Sequence, residues 1–285
     1  MKIKELFKEK TVLSYEVFPP RPTSPVNMIY DTLNELKELS PDFISVTYGA
    51  GGGKNNGETF KIAQTIKSYG IESAAHLACI GLKKEEVLCK LKELEAAGVQ
   101  NILALRGDIP DGGYARGDFK YASDLISFIK AHGDFDIIAA CYPEGHIESA
   151  SKIDDIHNLK LKVGAGADHL ITQLFFDNEY FYSFAERCQF AGINVPIEAG
   201  IMPVINKKQI ERMASLCGVT VPKKFVAMMQ RYENNPIAMR DAGIAYAVDQ
   251  IVDLIAQGVN GIHLYTMNNP YIARKIHEAI CNLIS

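Results

Sequence analysis

The six cysteines of this 285-residue chain form no Cys-x-x-Cys pair and lie scattered through periodic segments. Zinc sites, iron–sulfur clusters and redox motifs use such pairs, and disulfide frameworks belong to short cysteine-rich chains. The seven histidines form neither an H-x-x-x-H nor an H-E-x-x-H pattern, and Asp168 next to His169 is better explained by a core position and a turn. We therefore predict buried free thiols and no metal site.

The chain also lacks any apolar run long enough to span a bilayer. Residues 1–10, MKIKELFKEK, carry charges on both flanks without an apolar stretch between them, which predicts a short amphipathic helix and not a signal peptide. A formal net charge of -4 and the absence of a basic stripe interleaved with aromatics give no support for a nucleic-acid partner. We expect a cytoplasmic protein that binds neither membranes nor nucleic acids.

Nucleotide-binding fingerprints are missing as well. No G-x-G-x-x-G motif follows a strand, so a Rossmann dinucleotide fold is unsupported. The glycine-rich segment 49–54, GAGGGK, is too short for a phosphate loop, and Asn55 stands where such a loop needs a magnesium-binding serine or threonine. We predict that this segment is a flexible loop over a site.

What the sequence does contain is a regular alternation of strand and helix patterns, repeated about eight times, which is the signature of a closed (β/α)8 TIM barrel. A doubly wound sheet is the main rival. Residues 205–232 predict extra helices after the seventh strand, and no Pro/Ser/Gly-rich linker divides the chain, so we expect one domain over residues 1–285. After a first strand that ends before Pro19, the predicted strands are 42–48, 71–79, 101–106, 135–142, 168–176, 194–199 and 260–265.

Active sites of such barrels lie where the strands end at their carboxyl termini, and in this sequence those ends are polar. A single polar strand end is weak evidence, because strand ends commonly meet water. A whole set that converges on one barrel mouth is harder to explain in that way. The set consists of Glu16, Thr47, His76, Arg106, Asp108, Tyr142 and Gln173.

Glu16 is the one acid within the first strand, which lies in TVLSYEVFPPR at 11–21 and is halted by Pro19 and Pro20. A buried carboxyl is costly when it is ionised and unpaired, so it is either kept neutral or held by its neighbours. Glu16 is therefore the first candidate for a general acid. The alternative is a strand-end glutamate that faces solvent or bridges to Arg21.

Taken together, nine segments resemble the methylenetetrahydrofolate reductase family. They are SYEVFPPR, SVTYGAGG, AHLAC, LALRGDIP, CYPEGH, DDIHNLKLKVGAGAD, ITQLFFD, GIMPV and HLYTMN. The resemblance extends from about residue 12 to residue 279, covers the catalytic barrel alone and depends on the joint order and spacing of the segments. It implies a flavoenzyme that reduces 5,10-methylenetetrahydrofolate to 5-methyltetrahydrofolate.

The resemblance implies roles for five residues at the folate. Glu16 corresponds to the acid that protonates N10, with Tyr15, Val17 and Phe18 expected to form an apolar frame that keeps the carboxyl protonated. Asp108 corresponds to an aspartate between flavin and pterin, where its charge stabilises the cationic iminium. Thr47 is expected near Glu16. The pterin and folate contacts implied are Gln173 and Gln209.

FAD is the cofactor that the resemblance implies. Asp155, Asn158 and Lys162 are spaced three and four apart, so they share one helix face and could reach ribose and diphosphate oxygens together. The alternative is an ordinary solvated helix face. The full implied set for FAD is Thr47, His76, Arg106, Gly107, Asp108, Tyr121, Ala122, Tyr142, His146, Asp155, Asn158 and Lys162.

Three departures from the family pattern concern the electron donor and the folate tail. Met213 replaces an aromatic residue that stacks on the nicotinamide donor and the folate, and Leu161 replaces a basic residue near the FAD phosphates. Asn269 stands in place of an arginine that reaches the folate tail. We expect methylenetetrahydrofolate as substrate and NADH as donor, with a ferredoxin or a partner subunit as the alternative electron source. We also expect a homo-oligomer.

A different class of function is a non-catalytic flavin- or folate-binding subunit on the same barrel, since a fold does not fix a function. The intact Glu16 argues against it, because binding alone gains nothing from a buried proton donor. A flavin-free barrel enzyme, such as a pterin-dependent methyltransferase or a lyase, is opposed by His146 and by the helix face described above.

Overall fold

Eight parallel strands close into a barrel in this computed structural model, which describes residues 1–20, 25, 27–48, 56–109 and 117–284. Each strand pairs with the next one along the chain, and the eighth pairs with the first. The strands are β1 (Val12–Val17), β2 (Phe43–Val46), β3 (Glu72–Ala78), β4 (Asn101–Leu105), β5 (Asp136–Cys141), β6 (His169–Thr172), β7 (Ile197–Ile201) and β8 (Gly261–Tyr265).

A helix follows every strand, so the predicted (β/α)8 TIM barrel is confirmed. The extra helices predicted after the seventh strand are α7 and α8, and α9 then packs back against β7. Within the described residues the helices are α1 (Asn27–Lys37), α2 (Asn56–Ser68), α3 (Lys84–Ala96), α4 (Ala122–His132), α5 (Lys152–Gly164), α6 (Asn178–Phe190), α7 (Lys207–Cys217), α8 (Lys223–Tyr232), α9 (Pro236–Ala256) and α10 (Pro270–Ile280).

Two strands have a boundary more than two residues away from the predicted one. The sixth strand ends at Thr172, because Leu174 and Phe176 leave the ladder and pack into a second apolar cluster with residues of α7 and α8. The seventh strand is shifted toward the carboxyl end, to Ile197–Ile201. A continuous apolar run does not by itself reveal where pairing stops, which explains the error in the sixth strand. No helix in the described ranges is long and apolar enough to cross a membrane.

Strand residues alternate between the barrel interior and the face that packs on the helices. In β1, Tyr15 and Val17 belong to the main apolar cluster beneath the helices. Val12 belongs to a smaller cluster inside the barrel. Ser14 and Glu16 share the face of Val12, so both point into the barrel. The alternation therefore places the predicted acid inside the mouth and its apolar sequence neighbours outside.

A 3-10 helix, Ile3–Lys8, closes the amino-terminal end of the barrel. The Ile3 backbone N–H donates to Asn101 Oδ1 at 3.0 Å, and the Lys4 backbone N–H donates to Asp136 Oδ2 at 2.9 Å. The ring of Phe7 lies 4.9 Å from that of His169. The segment predicted as a short amphipathic helix therefore serves as a plug, at the end opposite to the strand carboxyl termini.

The histidine inside this plugged end predicts a loss of stability in acid. Burial lowers the pKa of His169 to about 3, and neither ring nitrogen has a hydrogen-bond partner among the described residues. Below the ordinary pKa of 6.5 the unfolded chain takes up a proton that the folded chain does not. The free energy of unfolding should therefore fall by up to about 1.4 kcal/mol per pH unit for this group.

The test is urea denaturation of the wild type and of His169→Leu at pH 7, 6 and 5. Asp136 lies 3.9 Å away, and burial raises its pKa to about 6, so it changes stability with pH in the opposite sense. Subtracting the free energy of unfolding of the variant from that of the wild type at each pH removes the contributions of the other titrating groups. We expect the wild type to lose about 1 to 2 kcal/mol more than the variant between pH 7 and 5. Parallel pH dependences would contradict the assignment.

Candidate active site

Glu16 lies near the carboxyl end of β1 with its side chain in the mouth of the barrel, 19% exposed. Its Oε2 is 3.6 Å from His76 Nε2 on β3 and 3.7 Å from His263 Nε2 on β8. The expected apolar frame is wrong for Tyr15 and Val17, because alternation turns both to the opposite face of the strand. Two imidazoles, and not apolar side chains, surround the carboxyl. Arg21, the alternative partner, lies outside the described residues.

The neighbouring imidazole of His76 is neutral near pH 7. Burial lowers the pKa of His76 to about 4, although the nearby Glu16 carboxylate acts in the opposite direction. Its Nε2 is buried without a hydrogen-bond partner among the residues described. A neutral ring at 3.6 Å leaves Glu16 without a formal positive charge on this side. His76 therefore does not lock the carboxyl into an ion pair, and a general acid has to stay free of such a pair if it is to keep its proton.

The loop after β8 holds the end of β1 in place. The Asn268 side chain accepts a hydrogen bond from Phe18 N at 3.0 Å and donates to Phe18 O at 2.8 Å, and the Thr266 hydroxyl donates to Glu16 O at 2.6 Å. Met267 and Asn268 adopt left-handed backbone, with φ of 52° and 54°. Two consecutive non-glycine residues in that region are strained, and strain of this kind is typical of functional loops. The clamp fixes the backbone that carries Glu16.

The other predicted folate contacts lie at neighbouring strand ends. Thr47 follows β2, and its Oγ1 is buried without a partner among the described residues. Gln173 follows β6, where its side-chain oxygen accepts a hydrogen bond from Leu174 N at 2.9 Å. Asp108 is exposed in the loop after β4. Gln209 lies in the first turn of α7, half-buried. No hydrogen bond or ion pair is described between these four side chains and Glu16.

A cleft of about 440 Å³ opens beside the mouth, between the ends of β4 and β5 and the helices α4 and α5. It contains eight of the twelve residues predicted to bind the cofactor, while Thr47, His76, Gly107 and Asp108 lie outside its lining. The eight are Arg106, Tyr121, Ala122, Tyr142, His146, Asp155, Asn158 and Lys162.

Helix α5 contributes one wall of this cleft through Asp155, Asn158 and Lys162. Asp155 is buried and accepts a hydrogen bond from the Ser149 hydroxyl at 3.0 Å, and Lys162 Nζ donates to Ala140 O at 2.7 Å. Burial lowers the pKa of Lys162. Asp155 and Lys162 therefore do not form the solvated helix face of the alternative reading. A desolvated ammonium in a cleft is a site where an anion would bind strongly.

Arg106 ends β4 and supplies a second cation to the cleft. Its guanidinium makes two hydrogen bonds to the Glu148 carboxylate, at 2.6 and 2.7 Å. The next residue, Gly107, has φ +89°, and an added Cβ would lie 2.8 Å from Ile80 Cγ2. Glycine is therefore required at the turn that aims Arg106 into the cleft. The rings of Tyr142 and His146 meet at 84° with centroids 4.6 Å apart and give the cleft an aromatic floor.

The three departures from the family pattern fall at the edges of the site. Met213 on α7 packs against the second apolar cluster, which includes Leu174 and Phe176. Leu161 lines the cleft and is 51% exposed. Asn269 caps α10 by accepting a hydrogen bond from Ile272 N at 3.3 Å. The packing and hydrogen bonds at these three positions therefore need neither an aromatic ring nor a positive charge. Within the described ranges, no group of three or more His, Cys, Asp or Glu could hold a metal ion.

Three polar residues inside the barrel were missed by the sequence reasoning: Ser14, Glu198 and His263. All three are fully buried. The sequence pattern does indicate Ser14, because it precedes Glu16 by two residues and so lies on the same face of the strand. For Glu198 and His263 the signal was a single polar residue within an otherwise apolar strand. Neither position stands at the carboxyl end of its strand, where the sequence predicts functional residues.

These features define an enzyme-type (β/α)8 barrel, with an acid in its mouth beside a cation-lined cleft of cofactor size. Comparison with known proteins gives the family. The family model described as methylenetetrahydrofolate reductase matches residues 2–281. The 5,10-methylenetetrahydrofolate reductase of Pectobacterium carotovorum subsp. carotovorum is 39% identical over 95% of this chain and 89% of its own length. The Escherichia coli K12 enzyme of that name is 38% identical over 95% and 90%. The chain therefore belongs to the methylenetetrahydrofolate reductase family.

A solved structure supports the fold independently. An uncharacterized protein from Clostridium thermocellum, described as binding two copies of 5-methyl-5,6,7,8-tetrahydrofolic acid, superposes with a TM-score of 0.68 at 13% identity. The match covers 98% of this chain and 97% of that protein. At this identity the likeness shows the barrel architecture alone.

Proposed function

We propose that this chain reduces 5,10-methylenetetrahydrofolate to 5-methyltetrahydrofolate, with FAD bound in the cleft and Glu16 as general acid. The observation that carries the proposal is the position of Glu16, an acid held in the barrel mouth beside the cation-lined cleft. The names of its relatives support the folate reaction, as does the folate-binding protein that shares its fold. We also propose that residues 1–285 act as one catalytic barrel.

The residues of the cleft fit the chemistry of FAD. A diphosphate requires positive charge, and Lys162 and Arg106 provide it from opposite walls. The buried Asp155 carboxylate and the Asn158 side chain offer hydrogen bonds to sugar hydroxyls, and aromatic Tyr142 offers a stacking surface. When bound, FAD supplies the hydride-transfer chemistry. The Glu148 carboxylate competes with the phosphates for the Arg106 guanidinium.

The reaction needs a proton at N10 of the folate, and we propose that Glu16 supplies it. The side chain lies in the mouth, where a bound pterin would meet it, and the clamp formed by Thr266 and Asn268 fixes its backbone. General acid catalysis of this kind contributes about 10² to 10⁴ in rate. Asp108 would stabilise the cationic iminium by its negative charge. Thr47, Gln173 and Gln209 would hold the folate.

NADH is our proposed electron donor, and Met213 is the reason to test it directly. A flexible thioether on the rim of the apolar cluster can contact a nicotinamide, but it cannot stack as an aromatic ring does. The measurement is anaerobic: NADH, or in a parallel cuvette a reduced ferredoxin, is added to the FAD-reconstituted protein while the flavin absorbance is followed.

We expect NADH to bleach the flavin, and we expect Met213→Phe to bleach faster at low NADH concentration. Lys208→Ala, at an exposed position of the same helix, is the matched control. Its flavin should be bleached by NADH at the wild-type rate. Bleaching by ferredoxin and not by NADH would transfer the donor role to a protein partner. A protein that binds flavin and folate but accepts electrons from neither would support the non-catalytic binding subunit.

A further inference from the structure

A fully buried carboxyl, Glu198 on β7, lies deeper in the barrel than Glu16. Gly261 on the neighbouring strand leaves room for it, since an added Cβ there would lie 2.9 Å from Glu198 Cγ. Glu198 Oε2 lies 3.0 Å from the Ser14 hydroxyl, whereas Oε1 has no hydrogen-bond partner among the described residues. Burial raises the pKa of Glu198 well above its usual range, and a fully buried carboxyl is far less costly to hold in its neutral form than as a carboxylate.

Ser14 connects this carboxyl to the site. Its Oγ lies 2.7 Å from His263 Nδ1, on the other side from Glu198. The opposite nitrogen of the same ring, Nε2, faces Glu16 Oε2 at 3.7 Å. This last distance is longer than a hydrogen bond, as is common for catalytic groups before the substrate binds. The order in space is Glu198, Ser14, His263 and Glu16.

Counting donors and acceptors assigns the direction of the hydrogen bonds between Glu198, Ser14 and His263. A neutral carboxyl has one proton to donate, and a buried donor without an acceptor is costly. The contact between Ser14 Oγ and Glu198 Oε2 can be made in either direction, and a neutral Glu198 that carries its proton on Oε2 donates it to Ser14 Oγ. Ser14 in turn donates its own proton to His263 Nδ1. A neutral imidazole that accepts at Nδ1 carries its proton on Nε2, and Nε2 faces Glu16.

We propose that Glu198 is a positioning residue, which acts through Ser14 to keep the proton of His263 on Nε2 and so directs the acidic proton of Glu16 out toward the substrate. With an N–H opposite Oε2, that oxygen of Glu16 accepts, and the acidic proton is left on Oε1. In the other tautomer, the lone pair of Nε2 would accept the Glu16 proton and point it into the barrel. The inference rests on the proposed role of Glu16 in folate reduction.

The other groups near these four residues do not replace Glu198 as the hydrogen-bond donor to Ser14. Asp42 acts on Glu198 only through its charge, and it raises the same pKa that burial raises. His76 faces Glu16 from β3, and His169 and His76 each act on His263 only through space. Tyr265, next to Glu16, donates its hydroxyl to Thr172 O at 2.7 Å and is therefore engaged.

The test compares four variants of the whole protein reconstituted with FAD, and a fifth variant serves only to assign an NMR signal. Ser14→Ala removes the hydroxyl that connects Glu198 to His263. Ser45→Ala is the matched control, because Ser45 is a buried serine paired in register with Glu16 on β2, and its hydroxyl has no partner among the described residues. Glu198→Leu removes the donor, and Glu198→Gln restores one through its amide.

The first readout is 15N NMR of the imidazoles, with His263→Gln used to assign the signal. We expect a protonated Nε2 and an unprotonated Nδ1 for His263 in the wild type, in Ser45→Ala and in Glu198→Gln. Ser14→Ala, and Glu198→Leu if it folds, should show a mixture of tautomers. A protonated Nδ1 in the wild type, or the same signal in Ser14→Ala as in the wild type, would overturn the inference.

The second readout separates the two half-reactions by stopped-flow absorbance. In Ser14→Ala, bleaching of the flavin by the donor should be unchanged, while its recolouring by methylenetetrahydrofolate should slow by about tenfold or more. Glu198→Gln should recover most of the rate that Glu198→Leu loses. Equal recolouring by Ser14→Ala and Ser45→Ala would overturn the inference. If the wild type itself does not turn over the folate, the proposed function fails, and the NMR signal still tests the tautomer.

Discussion

Replacing Glu16 with glutamine should slow the reduction of methylenetetrahydrofolate by about 10² to 10⁴ while leaving FAD binding intact. Glutamine keeps the size of the side chain and its place between His76 and His263, but it has no acidic proton to give to N10. Flavin reduction by the donor needs no such proton. The two half-reactions should therefore respond differently in this variant: flavin reduction keeps its rate, and folate reduction slows.

The control for this substitution is Glu179→Gln, an exposed glutamate in the first turn of α6 on the outer ring of helices. Stopped-flow absorbance gives both rates, and the flavin content is read from the resting spectrum. If Glu16→Gln reduced the folate as fast as Glu179→Gln does, the acid would be a different residue. A loss of flavin in Glu16→Gln would instead point to a role in holding the cofactor.

The second large effect is expected at Lys162. Removing a charge-assisted hydrogen bond costs about 1.5 to 3 kcal/mol, so Lys162→Met should weaken FAD binding by about tenfold to more than a hundredfold. The fold should tolerate the change, because methionine is apolar and of similar length and the desolvated ammonium is itself costly to bury. The measurement is a titration of the apoprotein by quenching of flavin fluorescence, together with a thermal melt.

Lys160→Met provides the control on the same helix. Lys160 is exposed, and its Nζ donates to Ala191 O at 2.7 Å, away from the cleft. We expect its FAD affinity to match that of the wild type. Equal affinities in the two variants would remove Lys162 from the cofactor site and with it the assignment of the α5 face. A lower melting temperature for Lys162→Met alone would indicate a structural role for this lysine.

The sequence was sufficient to predict the barrel because its local signals agree with one another. Strand and helix patterns alternate, the breaks between them carry proline, glycine or asparagine, and Gly98, just after α3, has the left-handed backbone, φ +70°, that glycine permits. The errors lie where tertiary packing decides. β6 ends early because Leu174 and Phe176 pack toward helices that come later in the chain.

The cleft was predictable because its residues follow strand ends and a helix face, both of which have simple periodicities. The surroundings of Glu16 were not. Periodicity along β1 shows which residues share its face, but it does not show that the strands opposite bring His76 and His263 to the carboxyl. Glu198 is a further case, since contact with Ser14 spans 184 positions in the sequence. Such contacts depend on how the barrel closes and on its register.

The central claim is that this protein transfers reducing equivalents from bound FAD to methylenetetrahydrofolate. The most direct measurement is a single turnover without any nicotinamide: the FAD-loaded protein is reduced photochemically under anaerobic conditions and mixed with methylenetetrahydrofolate. We predict that the flavin absorbance returns and that one 5-methyltetrahydrofolate forms per FAD. A flavin that stays bleached with the folate, yet regains its colour when oxygen is admitted, would contradict the account.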